Sequence, residues 1–279
     1  QEQMVEVFGI DGAITGEETE KKYREYEVEV DGGVLPVLEI PKFSFDNRPA
    51  YDRFMARFFA NHSDKPAIVI DLRENPGGDG RWAYEVLDYL TDEPYLSHER
   101  FDFRISKPFV DVATFSFQRG LWEKGWPRLL WWLPRSVVGE DNWMDRIEAA
   151  DIGEYAVDHD GLHHPDPDKS TYQGEVYLLV SHKTNSAAVV FASIFAHHEM
   201  GTTIGRETGG RTVFTSDSIP IVMPNTQLFV WIPVAKLALP GGESKRGYVP
   251  DIPVVYTMED YLNGHDKDLE KVRELINIM

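Results

Sequence analysis

Two places where a short apolar segment runs into turn residues and then into a helical pattern constrain the fold of this chain most. Residues 67–72 lead to Asn-Pro-Gly-Gly at 75–78, and residues 176–180 lead to Thr-Asn-Ser at 184–186. Short apolar segments of this kind, followed by helices, are typical of buried parallel strands. Turns that open a helix aim backbone N–H groups at an anion. One turn supplies glycine amides and the other a hydroxyl, so the pair suggests a serine acyl-transfer site.

Strand and helix patterns alternate around these junctions. A strand is predicted at 34–40, and helices are predicted at 49–59 and 82–90 from apolar residues at helical spacing. A further helix is predicted from 186 to about 198, and the last one begins at about 268. Alternation of this kind favours a mostly parallel sheet with helices on its faces. The expected fold class is therefore α/β.

The sequence pattern divides the chain into two parts. Residues 1–33 are charged and weakly periodic, and we interpret them as a lead-in that remains from a longer upstream region. Residues 34–279 form the expected α/β core, interrupted by an insertion at about 92–173 that contains an aromatic-rich segment at 121–133. Aromatic segments more often pack on a core than contact a membrane or a polypeptide. Extended segments within 219–232 predict a hairpin.

Composition limits the partners. The 28 basic and 47 acidic residues give a net charge of −19, so the chain lacks the basic surface that nucleic acids require. No apolar run is long enough for a membrane span. The absence of cysteine excludes disulfides and a cysteine nucleophile, and it favours a bacterial protein of the periplasm, cell envelope or secreted fraction. Because the chain begins at Gln1 without a leader pattern, we expect a processed or trimmed product.

Metal and cofactor sites are not predicted. The Asp- and His-rich segment 158–168 contains suitable residue types, but its spacing matches neither a calcium loop nor a zinc helix, so we interpret it as a solvated loop. No lysine of the phosphate-binding loop type follows Gly77 and Gly78, which argues against a nucleotide.

Four motifs occur in one order along the chain. They are Asp-Leu-Arg-Glu-Asn-Pro-Gly-Gly at 71–78, Asn-Ser-Ala-Ala at 185–188, Ile-Gly-Arg-Glu-Thr-Gly-Gly at 204–210 and Gly-Tyr-Val-Pro-Asp-Ile at 247–252. This order resembles the C-terminal processing, or tail-specific, serine peptidases, in particular their tricorn-core-like branch. The resemblance implies a ClpP/crotonase-like core and a serine endopeptidase that cleaves polypeptides through an acyl-enzyme.

The resemblance also implies roles for site residues. Ser186 would be the nucleophile, and the N–H of Ala187 would be the first oxyanion donor. The second donor would come from Gly77 or Gly78, of which Gly78 is preferred. Taken alone, Ser186 also matches a plain helix N-cap, and the glycine pair also matches a tight turn.

The general base is the weakest part of the pattern. One branch of the family uses a lysine where this chain has Arg211, and a guanidinium does not accept a proton near neutral pH. The tricorn-like branch implies that Glu243 orients a histidine, which in that branch lies ahead of the sheet. No histidine of this chain matches it, so we expect the base to come from a missing upstream segment. His182 is a local alternative, although its position is more typical of a loop histidine.

Two alternatives to a peptidase stay open. A non-catalytic module that binds a ligand or peptide on the same fold is suggested by Arg211, because the lysine base is lost there. Acyl-CoA chemistry on a crotonase-like fold would use the same paired amides, but no site for an adenosine diphosphate is evident. The sequence leaves the oligomeric state open.

Overall fold

The computed structural model describes residues 23–30, 33–44, 48–114, 146–147, 149–159, 161–242 and 245–276. The described strands, numbered in chain order, are β1 (Arg24–Val30), β2 (Gly33–Glu39), β3 (Ala67–Asp71), β4 (Tyr95–Leu96), β5 (Arg100–Arg104), β6 (Tyr155–Asp158), β7 (Leu162–His163), β8 (Glu175–Val180), β9 (Thr202–Gly205), β10 (Val213–Val222), β11 (Phe229–Ala238) and β12 (Ile252–Pro253). The helices are α1 (Arg48–Asn61), α2 (Gly80–Leu87), α3 (Ala187–His197), α4 (Met258–Asn263) and α5 (Lys267–Ile276), and residues 107–114 are also helical.

A six-stranded sheet forms the centre of the structure. Its order is β1-β2-β3-β8-β9-β12, and every pair from β2 to β12 is parallel, whereas β1 is antiparallel to β2. The predicted α/β class with a mostly parallel sheet is confirmed. The carboxyl ends of β3 and β8 are neighbours, which brings together the two turns singled out in the sequence.

Helices cover both faces of this sheet. Successive residues of β3 point to opposite faces, so Ile68 and Ile70 pack with α1, α2 and α3, while Val69 packs with Leu269 and Val272 of α5. The three β3 side chains are fully buried. Burial of each such side chain contributes about 1.5–3 kcal/mol, which explains why a five-residue strand is stable at this position.

A second, four-stranded sheet has the order β10-β11-β5-β6. The hairpin predicted within 219–232 is confirmed, and its strands extend further than expected, over 213–222 and 229–238. The insertion predicted at 92–173 contributes β5 and β6 to this sheet, while β4 pairs with β7. The aromatic-rich segment 121–133 lies outside the described residues, and the division into 1–33 and 34–279 stays a prediction.

The end of the chain contains one helix more than predicted. The helix expected from about 268 is α5, but α4 at Met258–Asn263 has no counterpart in the predictions. Helix α4 buries none of its residues, although Met258, Tyr261 and Leu262 are at helical spacing, and the capping box formed by Thr257 and Asp260 marks its start. Among the described residues, no helix is long and apolar enough to cross a membrane.

A buried ion cluster joins the end of β3 to α5. The Arg73 guanidinium lies 2.7 Å from Asp71, 2.7 Å from Asp266 and 3.1 Å from Asp268. Burial opposes the charged form of Arg73, but the hydrogen bonds to Asp71 and Asp266 outweigh it and raise the pKa of Arg73. Burial likewise tends to raise the pKa of Asp266, and Arg73 reverses the shift so that this pKa is lowered. The cluster fixes the chain immediately before the glycine turn.

We expect the Arg73→Ala variant to lose about 3–5 kcal/mol of unfolding free energy, because Asp71 and Asp268 would be left buried without a cation. Urea denaturation at pH 7 measures this loss. The matched control is Arg24→Ala, which removes a largely exposed guanidinium paired with Glu39 and should leave the midpoint unchanged. Equal midpoints for the two variants would contradict a stabilising role for the cluster.

Candidate active site

Two turns form the candidate site, the glycine turn (residues 73–79) after β3 and the serine turn (residues 181–186) after β8. Hydrogen bonds join them along their length. The Thr184 hydroxyl donates to the Leu72 carbonyl at 2.9 Å, and the Ser181 hydroxyl donates to the Arg73 carbonyl at 2.5 Å. The Asn185 N–H donates to the Asn75 carbonyl at 3.1 Å. The two turns therefore form one rigid unit.

Asn75 is the centre of this unit. Its side chain is fully buried, its Nδ2 donates to the Ile40 carbonyl at 2.9 Å, and its Oδ1 accepts the N–H of Gly77 at 2.8 Å. The glycine turn is thereby attached to the chain leaving β2 as well as to the serine turn. Because the Gly77 N–H already has an acceptor within the protein, it is not available to a ligand.

Gly77 lies directly against Ser186. A methyl group at Gly77 would come within 2.5 Å of the Ser186 Cβ and 3.0 Å of the Ala187 nitrogen, closer than non-bonded atoms approach. The φ angle of Gly77 is +110°, which residues with side chains rarely adopt. The close contact requires glycine at this position, and it brings the glycine turn to the nucleophile candidate.

Gly78 continues the turn and packs on the chain after β2. Its φ is +136°, and a methyl group there would lie 2.0 Å from the Phe43 carbonyl oxygen. The Phe43 backbone accepts from the Asp79 N–H at 2.8 Å and donates to the Gly77 carbonyl at 2.9 Å. Among the described residues, no acceptor takes the N–H of Gly78 or that of Ala187. Within the described part of the chain, the N–H that follows Gly77 and the N–H that follows Ser186 therefore have no acceptor.

Ser186 itself has an unusual backbone. Its φ of 49° and ψ of −123° are rare for a residue with a side chain, and such strain costs about 1–3 kcal/mol. Ser186 occupies the N-cap position of α3, yet its hydroxyl makes no capping hydrogen bond. The plain N-cap function that the sequence also allowed is therefore not realised in this structure. The half-buried hydroxyl remains at the positive end of the helix.

Helix α3 holds Ser186 in place. The nine residues from Ala187 to Phe195 are all buried, and α3 packs against α2 and the sheet. A helix that is apolar on all sides belongs in a core. Because α2 follows the glycine turn and α3 follows the serine turn, the contact between these helices sets the distance between the turns.

A third loop borders the serine turn. The Gly210 N–H donates to the Thr184 carbonyl at 3.1 Å, and the Thr208 hydroxyl donates to the Gly210 carbonyl at 2.8 Å. Thr208 Oγ1 also accepts the Tyr248 N–H at 2.8 Å. The segment 208–210 is thus held between the serine turn and the fourth motif. Sequence reasoning gave Thr184 no role, and it interpreted Thr208, Gly209 and Gly210 as a turn or a wall of the pocket.

Glu243, the carboxylate expected to orient a histidine base, lies outside the described residues. Two residues that follow in the chain, Arg246 and Gly247, both bind Glu207. The Arg246 guanidinium pairs with the Glu207 carboxylate, and the Gly247 N–H donates to it at 3.0 Å. Arg211 is exposed and forms an isolated backbone bridge with Gly247. Gly247 lies against Thr208, in the loop that borders the serine turn.

All nine histidines belong to the described part of the chain, and within it none is hydrogen-bonded to the Ser186 hydroxyl. His182 is exposed. His197 is exposed at the end of α3, and His198 Nε2 accepts the Leu96 N–H at 3.0 Å. Burial lowers the pKa of His198, which favours the neutral ring that this hydrogen bond requires. The positions of His197 and His198 agree with the structural roles suggested by the sequence.

The Asp- and His-rich segment 158–168 makes ion pairs instead of one joint cluster. Asp158 lies 3.0 Å from Arg146, and His163 Nε2 lies 2.8 Å from the buried carboxylate of Asp88. Burial tends to raise the pKa of Asp88, but the hydrogen bond with His163 outweighs this tendency and lowers it. In the part of the chain that is described, no group of three or more potential metal ligands occurs. Asp160 lies outside that part.

The sequence of residues 35–254 matches the model of a protein family described as "Peptidase family S41". This chain belongs to peptidase family S41. Members of this family are serine-type peptidases, so the predicted resemblance is confirmed at the level of the family. A comparison with curated proteins gives no significant match.

Solved structures show the same fold as this S41 chain. Mature CPAF matches with a TM-score of 0.64 at 20% identity, over 91% of this chain and 54% of CPAF. A putative peptidase from Parabacteroides merdae matches with a TM-score of 0.56 at 16% identity, over 98% and 68%. A putative S41 protease from Bacteroides fragilis matches with a TM-score of 0.54 at 17% identity, over 91% and 57%. The S41 chain thus spans about half the length of mature CPAF.

We expect Gly77→Ala to destabilise the S41 chain by about 2–4 kcal/mol, because the new Cβ would overlap Ser186 at a positive φ. Gly80→Ala is the matched control, since a methyl group at this helical position meets no atom within 4 Å. It should be neutral or up to about 1 kcal/mol stabilising. The readout is the free energy of urea unfolding, and equal stability of the two variants would show that Gly77 does not contact Ser186.

We expect Asn75→Ala to cost about 2–5 kcal/mol, because it leaves the Ile40 carbonyl and the Gly77 N–H buried without partners. Thermal and urea unfolding measure the loss. Asn263→Ala, at an exposed helix end, serves as the control and should change stability by less than about 0.5 kcal/mol. A near-neutral Asn75→Ala variant would disprove the central position assigned to this side chain.

Proposed function

We propose that this S41 chain is the catalytic core of a serine endopeptidase of the C-terminal processing type, which cleaves polypeptides through an acyl-enzyme. The supporting observation is the contact between the two turns. The strained Ser186, whose hydroxyl makes no capping hydrogen bond, lies against Gly77, and among the described residues the N–H groups of Gly78 and Ala187 have no acceptor. Family membership supplies the reaction class, and this arrangement supplies the groups that acyl transfer requires.

In the proposed reaction the Ser186 Oγ attacks the carbonyl carbon of a peptide bond. The carbonyl oxygen becomes an oxyanion and accepts hydrogen bonds from the Gly78 and Ala187 N–H groups, while the serine proton passes to a general base. The protonated base then donates its proton to the amine nitrogen, and collapse of the tetrahedral intermediate expels the amine and leaves an ester on Ser186, which water hydrolyses. Each oxyanion donor of this type typically contributes a factor of about 10²–10³ to kcat.

We propose that the general base is a histidine outside this chain and that Glu243 orients it. Two observations support this division. No described histidine is hydrogen-bonded to Ser186, and Arg211 occupies the position of the lysine used by the other branch. Because a guanidinium holds its proton near neutral pH, Arg211 can attract an anionic group but cannot deprotonate Ser186.

A fluorophosphonate probe tests the nucleophile in the full-length protein that contains this chain. We expect stoichiometric labelling of Ser186, located by peptide mass spectrometry, and cleavage of an unfolded protein substrate. Ser186→Ala should abolish both, with at least a 10³-fold loss of kcat/KM. The exposed Ser63→Ala variant is the control and should behave like the unchanged protein. If Ser186→Ala cleaves as fast as Ser63→Ala, the peptidase proposal is wrong.

A non-catalytic module that binds a peptide or another ligand is the second candidate. It is favoured by the lack of a base in contact with Ser186 among the described residues. The same experiment separates the two functions, because a binding module would take up polypeptide with equal affinity in the unchanged and Ser186→Ala forms and would cleave neither. Turnover by the full-length protein excludes this candidate.

We further propose an extracytoplasmic location, in the periplasm, the cell envelope or the secreted fraction of a bacterium. The absence of cysteine and the acidic composition support it. Cell fractionation followed by immunoblotting tests the location, and recovery of the protein solely with cytoplasmic markers would refute it.

A further inference from the structure

The β10–β11 hairpin extends beyond the sheet to which it belongs. Strand β5 pairs with β11 only over Ala235–Ala238, whereas β10 pairs with β11 as far as Val222 and Phe229. We name the distal part, residues 218–233, the arm. Among the described residues the arm has no neighbouring strand besides its own two. Ile219, at the base of the arm, is buried with Ile105 and Phe109, whereas residues 223–233 are exposed and form a two-stranded ribbon of the kind that is marginally stable in water.

The arm exposes an unusual amount of apolar surface. Consecutive side chains of a strand point to opposite faces, so the run of exposed residues 228–232 shows that both faces of β11 are uncovered. Single exposed apolar residues are common on protein surfaces, but a contiguous group marks an interaction site. The group consists of Met223 (43% exposed), Leu228 (64%), Phe229 (52%), Val230 (40%), Trp231 (57%) and Ile232 (42%).

The arm has prolines at 220, 224 and 233, but it lacks the charges that commonly protect an edge strand. Proteins guard such strands with lysines or other charges, yet residues 218–235 contain no charged side chain in a chain whose net charge is −19. Two copies of this chain repel each other over most of their surfaces, and contact through the neutral arms keeps their charges apart. A partner for the arm must itself be apolar and uncharged, and the arm of a second copy meets this requirement.

The area is that of a weak contact. Six half-exposed large side chains offer roughly 100 Å² each, but they lie on two faces of the arm, so two arms packed through one face bury about 600 Å², the size of a weak and reversible interface. The polar turn at 224–227 forms the tip of the hairpin and would have to enter a lipid bilayer first, which argues against membrane insertion. No lysine or arginine is available on the arm to contact lipid headgroups.

We propose that two copies of this chain form a homodimer by packing their arms against each other across a two-fold axis. The contact is isologous, so each arm supplies the apolar surface that covers the other. Phe229 and Trp231 lie on one face of β11 and form the centre of the interface, because large aromatic side chains dominate such contacts. The proposal does not depend on catalysis by Ser186.

Sedimentation velocity of this chain between about 1 and 100 µM tests the proposal. We expect a species of twice the 31.9 kDa chain mass that dissociates on dilution. Trp231→Lys should weaken the dimer at least about 100-fold, since both copies carry the change. Leu262→Lys is the control, because Leu262 is more exposed (79%) but lies on α4, away from the arm, and this variant should dimerise normally.

Hydrogen exchange of the unchanged chain gives a second readout that needs no variant. The amides of residues 229–233 should exchange more slowly at high than at low protein concentration, while those of α4 should not change. A chain that is monomeric throughout the concentration range would overturn the proposal, and so would a Trp231→Lys dimer as stable as that of Leu262→Lys. Sedimentation of a monomeric chain with phosphatidylcholine vesicles would also overturn it and assign the arm to lipid.

Discussion

The hydrogen bonds of one buried side chain, Asn75, are the constraint on which the candidate site depends. Its Nδ2 and Oδ1 attach the glycine turn to Ile40 and to Gly77, while its backbone carbonyl accepts the Asn185 N–H. Three strand ends are fixed relative to each other by these contacts. Breaking any of these hydrogen bonds would leave a buried polar group unpaired, at a free-energy cost of about 1–3 kcal/mol per group. The glycine turn and the serine turn therefore form one rigid unit.

This rigidity matters because Ser186 is held in a strained conformation. A residue with a side chain at φ 49° requires compensation from its surroundings. The buried helix α3 supplies it, since its nine consecutive core residues each contribute burial energy that is lost if the helix start relaxes. On the other side of the glycine turn, the Arg73 cluster attaches the turn to α5. The strain is thus concentrated at the residue with the free hydroxyl.

Sequence reasoning succeeded where the relevant signal is local. The strand and helix periodicities placed β3, β8 and α3, and the motifs selected Ser186, Ala187 and the glycine pair. It preferred Gly78 to Gly77 as an oxyanion donor but had no physical reason for the choice, because the reason lies in the hydrogen bond from the Gly77 N–H to the Asn75 side chain. It missed α4, a helix of six residues that buries none of them. The roles assigned to Ser186, Gly78 and Glu243 stay predictions.

The sequence by itself determined the alternation of strands and helices around the two turns, the family and the residue types at the candidate site, since these depend on spacing within short segments. Only the tertiary structure decided which amides stay free, how Ser186 is strained and that the arm projects beyond its sheet. Those properties arise from contacts between residues far apart in the chain, such as Thr184 with Leu72 across 112 residues. Such contacts form only when the parallel strands lie side by side in the sheet in the order β2-β3-β8-β9. No local sequence pattern encodes this spatial order.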